Sequence, residues 1–122
     1  MKILIYIGVT LAVIVMLLLI FLMVRFVSMA KESQSMHPEL GLQDGKLKAC
    51  PDSPNCVISY AVDEVHGLEP IPGDHKLFSD ITDWLDTDGA SIRTRTDEYV
   101  HATYSSGLFG FVDDLELSLI HI

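Results

Sequence analysis

Cys50 and Cys56 are the chain's two cysteines, with five residues between them in the loop CPDSPNC. A redox pair normally has two intervening residues. A zinc site needs further ligands at matching spacing, and no second cysteine pair exists. An even, close pair suits a structural disulfide in an oxidising compartment. Closing so short a loop stabilises by about 2 kcal/mol if the effect is the lost entropy of the unfolded chain. The second group with chemical potential is Asp113, Asp114 and His101. A carboxylate beside a histidine could support hydrolysis by acid–base catalysis. Neighbouring strand residues point to opposite faces, however, so Asp113 and Asp114 cannot both enter one site unless a bulge intervenes. Glu116 shares a face with Asp114, and His101 shares one with Tyr99 and Thr103. The competing reading is a solvated strand end or an ion pair.

The remaining candidates are weaker. His66 and His75 flank a Pro/Gly-rich stretch without a ligand spacing, and Ser53 and Ser59 have no identifiable base. There is no nucleophile elbow, phosphate loop, dinucleotide fingerprint or helical zinc motif, so neither cofactor nor metal is expected. Trp84, Phe109 and Phe111 read as core residues.

The elements that must position these residues begin with an apolar run. From Ile3 to Val24 no residue is charged. As a helix it rises roughly 33 Å, about the thickness of a bilayer's hydrocarbon core. Residues 1–27 are therefore expected to be a transmembrane anchor whose partner is the lipid bilayer. A cleaved signal peptide is the rival, with a small-x-small site at Ser28-Met29-Ala30, but its apolar core is normally shorter. Residues 28–45, with Pro38, Gly41 and Gly45, read as a juxtamembrane linker. Val57 to Ala61 could be a short strand. Leu77, Phe78, Ile81, Trp84 and Leu85 mark one face of a helix over Lys76–Thr87, with Asp74 as N-cap and Gly89 past its end. Ser91 to Thr96 and Tyr99 to Tyr104 alternate as strands around Asp97-Glu98. After a turn at Ser105-Ser106-Gly107, Leu108 to Leu115 alternates again. The predicted fold class is α+β: the N-terminal transmembrane helix, then a small domain with an antiparallel sheet and one amphipathic helix.

Charge narrows the partners. All 17 acidic residues follow residue 30, against six Lys and Arg, so that part carries 6 − 17 = −11. Such a surface argues against nucleic acid and against adhesion to anionic headgroups. Lys2 and the terminal amine flank one end of the span, Arg25 and Lys31 the other, so positive-inside counting is nearly balanced. The cysteine pair favours a cytoplasmic N-terminus and a periplasmic or extracellular domain. Three functions stay open: a binding or envelope-accessory domain, a hydrolase using Asp113 or Asp114 with His101, and capture of an apolar ligand under the helix.

Three segments together carry a family resemblance: LGLQDGKLKACPDSPNCVIS (Leu40 to Ser59), the Trp84-Leu85 pair, and DEYVHATYSSGLFGFVDDLE (Asp97 to Glu116). The chain resembles the bacterial domain-of-unknown-function family 1499 over about its last two-thirds. The resemblance implies a small domain, often behind a membrane anchor or signal, with no established activity. Ile58 stands where the family tends to have Ser, and Gly107 where a basic residue often precedes Leu-Phe. The family pattern continues past the Asp-Asp block with a strand, an Arg-Ser-Ala-Ser-Arg-like segment and a closing helix.

The last six residues, Leu117-Ser118-Leu119-Ile120-His121-Ile122, translate CTG TCT CTT ATA CAC ATC, a segment of the transposase mosaic-end adapter used in sequencing libraries. A chance match is on the order of one in ten million from average residue usage. The expectation is that 46–116 is a partial domain and 117–122 is adapter read-through. Such a fragment would fold poorly, with a sheet edge exposed. Resequencing the locus with a different library chemistry should replace these codons; recovering the same six followed by a stop removes the reading.

Overall fold

The computed structural model describes residues 1–122 except 37, 52–54, 60, 62–63 and 120–122. Ser53 and His121 therefore lie outside the described residues, as does Tyr60 of the short strand expected at 57–61. The chain divides into two compact units.

The first unit is helix α1, Lys2–Ser35, with the segment Ser106–Val112. Its most apolar window has a mean hydropathy of 3.1 and none of it is buried, so α1 is long and apolar enough to cross a membrane. The Thr10 hydroxyl, inside the apolar run, donates to the Tyr6 carbonyl at 2.9 Å, which satisfies it within the helix. The helix does not stop near Val27 but continues through Ser35, into the stretch read as linker.

The segment 106–111 is a turn, not the start of a strand. Ser106 N–H donates to the Phe111 carbonyl at 2.8 Å, and Gly110 N–H to the Ser106 carbonyl at 3.0 Å. Phe111 N–H donates to Ser106 Oγ at 2.9 Å. Gly110 sits at φ 72°, where a side chain is strained, and a Cβ there would lie 2.7 Å from Gln34 Nε2. Phe109 stacks on Phe26 with centroids 5.5 Å apart, and Phe111 meets Phe109 edge-on at 6.4 Å. Phe109 thus packs on α1 and Phe111 on Phe109, outside the domain core expected for them.

The second unit opens with a hairpin, β1 Leu42–Gln43 and β2 Lys46–Leu47. Asp44 and Gly45 join the strands, both at positive φ (52° and 76°), as a two-residue turn that follows strand twist requires. Cys50 and Cys56 form a disulfide with Cα atoms 5.7 Å apart. Among the described residues of 57–61, Ile58 makes an isolated parallel bridge with Gly67.

Helix α2, His75–Thr87, begins where Asp74 accepts from Leu77 N–H at 2.9 Å. It ends where Gly89 at φ 98° lets Ala90 N–H reach the Leu85 carbonyl at 3.1 Å, a Schellman closure. Strands β3 Ser91–Arg95, β4 Tyr99–Ser105 and β5 Val112–Ser118 form one sheet in the order β3-β4-β5. Phe78, Leu85, Ala90, Val100 and Ala102 make the core, joined by Ile81, Ile92, Tyr104, Leu115, Leu117 and Leu119. Trp84 is 55% exposed, contrary to its reading as core. At about 100° per residue it lies roughly 110° from the direction in which Phe78, Ile81, Thr82 and Leu85 converge. Leu117 and Leu119 pack because they alternate with Leu115, a pattern indifferent to the origin of their codons.

Candidate functional site

The strand alternation that puts Val100, Ala102 and Tyr104 on the core side puts Tyr99, His101 and Thr103 on the other. On β5, Asp114 and Glu116 face the same way. His101 Nε2 lies 2.6 Å from Asp114 Oδ1, and the Tyr99 hydroxyl donates to Glu116 Oε1 at 2.5 Å. As the first partner advances along β4, the second retreats along β5, the signature of an antiparallel pair. The same Glu116 oxygen accepts from Gly41 N–H at 2.7 Å.

A bulge completes the face. Ile92 pairs with Ala102 and Thr94 with His101, so Arg93 is the extra residue. Arg93 Nε donates to Thr103 Oγ1 at 3.1 Å, a re-aiming that bulges permit. The result is a row of polar groups across three strands: Arg93 with Thr103, His101 with Asp114, and Tyr99 with Glu116.

The row is not an ordinary solvated surface. Thr103 is 6% exposed and Tyr99 9%. The side chains of His101 and Asp114 retain 17% and 25%. Burial raises the Tyr99 phenol above its usual range, and its hydrogen bond to Glu116, the Glu116 charge and the Asp114 charge add to the effect. The proton therefore stays on the tyrosine, and Glu116 acts as acceptor.

Of the residues proposed from sequence, His101 and Asp114 are brought together, whereas Asp113 is exposed on the opposite side of β5. An imidazole held by a carboxylate is oriented, an arrangement suited to acid–base chemistry. Arg93, Tyr99 and Gly41 were not among the sequence candidates. The period-2 pattern at 99, 101 and 103 was visible, but the register that opposes it to 114 and 116 was not. Among the described residues, no group of three or more His, Cys, Asp or Glu side chains could hold a metal ion.

A half-open cleft of about 330 Å³ lies beside α2, lined by His75, Phe78, Ser79, Thr82, Arg95, Thr96 and Asp97. Arg95 is paired with Asp83 at 2.7 Å. Phe78 is the one apolar side chain of this lining, a poor match for an apolar ligand.

A family model described as a protein of unknown function (DUF1499) matches residues 46–121, more than half of the chain. No curated protein and no solved structure gives a significant match.

Tyr99 yields a pH prediction. Its folded pKa lies above the unfolded value of about 10, so its contribution is full below that value and is lost as pH rises towards the folded one. Chemical denaturation of the full chain in detergent should show stability falling above about pH 10. Tyr99→Phe should cost about 1–2 kcal/mol at neutral pH and flatten that alkaline fall. An unchanged slope in the variant would show that Tyr99 is not its source.

Proposed function

The chain belongs to the DUF1499 family, and from that premise we propose that it is a membrane-anchored, extracytoplasmic binding or envelope-accessory domain. The observation that carries this reading is the pairing of an apolar, exposed α1 with a disulfide-closed loop. Lipid suits the exposed apolar side chains of such a helix, and a structural disulfide persists where the compartment is oxidising. The polar row from Arg93 to Glu116 is the recognition surface in this reading. Its side chains are oriented by neighbours, and His101 and Asp114 are partly withdrawn from water, so a polar ligand meets fixed donors and acceptors. A reporter fused after residue 45 should be active only outside the cytoplasm; cytoplasmic activity overturns the orientation.

One observation favours a second reading, a hydrolase: the 2.6 Å contact between His101 and Asp114. The carboxylate would fix the imidazole as an acid–base group. Turnover of small esters by the full chain, lost in His101→Asn and kept in Asp113→Asn, would carry this alternative. Equal turnover in His101→Asn removes it.

A further inference from the structure

Resting on the reading of residues 3–24 as a membrane span, we infer that the turn at 106–111 is a second contact with the same bilayer, with Leu108 seated at the acyl–headgroup boundary. Leu108 is 83% exposed, and its neighbour Phe109 is stacked on Phe26. Phe26 lies two residues beyond Val24, the last of the uncharged run, hence about 3 Å further along the axis. Arg25 falls between them, where a long cationic side chain can reach headgroup phosphates while its stem stays in apolar surroundings. The ring of Phe109 is thus fixed at the level where aromatic side chains concentrate in membrane proteins.

The polar attachments of the segment lie at the other end. Ser33 Oγ accepts from Val112 N–H at 3.0 Å and donates to the Val112 carbonyl at 3.2 Å. Gln34 Nε2 donates to the Gly110 carbonyl at 3.0 Å. Ser33 and Gln34 are about 13–15 Å beyond Val24 along the helix, in water when the apolar run fills the bilayer. The segment therefore runs from a wet, hydrogen-bonded end to an apolar, aromatic end, parallel to the polarity gradient of a membrane surface. Residues 106–112 carry no charge. The hydrogen bonds from Ser106, Gly110 and Phe111 N–H satisfy donors that would be costly to bring unpaired towards the acyl chains. The exposed apolar tip is continuous with the span through Phe26, which makes lipid the occupant.

The test uses the full chain in phosphatidylcholine vesicles, with its disulfide intact and one added cysteine carrying an environment-sensitive fluorophore. The sites are Leu108→Cys, Ile14→Cys in mid-span and Ser35→Cys at the exposed end of α1, roughly 16 Å beyond Val24. Lipids with a nitroxide near the headgroup should quench the Leu108 site several-fold more than the Ser35 site. Lipids with a deep nitroxide should quench the Ile14 site most. Quenching at Ile14 with Leu108 no more affected than Ser35 overturns this inference and leaves the span standing, the tip then serving a protein partner. Absence of quenching at Ile14 overturns the span and this inference with it.

Discussion

The domain depends on covering strand β4 from both sides. Val100 and Ala102 have no exposed surface, and α2 packs over them through Phe78 and Leu85. The helix stays in place because both its ends are closed, by Asp74 at the start and by Gly89 with Ala90 at the finish. A small domain buries a modest share of its surface, so the apolar layer between α2 and the sheet is the main source of cohesion. Thr82 fits that layer by donating its hydroxyl to the Phe78 carbonyl, which satisfies that buried group.

Covering the first face sets the terms for the second. A central strand places every other side chain away from α2, and in β4 those are Tyr99, His101 and Thr103. Buried polar groups must be paired, and each has a partner on a neighbouring strand: Glu116, Asp114 and Arg93. The row thus joins β3, β4 and β5 by side chains as well as backbone. It also leaves an oriented imidazole–carboxylate pair that retains partial access to solvent, which gives the domain its chemical interest.

The connection between β4 and β5 follows a different rule. Phe109 packs on Phe26 of α1 and Phe111 on Phe109, and the apolar tip remains open. Apolar alternation in sequence states only that side chains take opposite sides. It does not name what each side meets. Gly110 at φ 72° and the hydrogen bonds around Ser106 turn the chain before the strand begins, so Phe109 and Phe111 are withdrawn from the sheet.

The features set by local chemistry were legible in the sequence. The charge-free run determined α1, the 3.6-residue period with Asp74 and Gly89 determined α2, and alternation determined β3 and β4. The Asp44-Gly45 hairpin was equally legible, because that dipeptide adopts positive φ at low cost, yet it lay within the stretch read as linker. Helix α1 runs past the apolar run to Ser35 because nothing between Val27 and Ser35 breaks a helix, polar though the stretch becomes. Tertiary structure alone decided the exposure of Trp84, the separation of Asp113 from His101, and the pairings of Glu116 with Tyr99 and Arg93 with Thr103. Each depends on strand register, on a bulge, or on how far a helix is rotated about its axis. Those are fixed when elements pack together, whereas a sequence period fixes only which residues share a face.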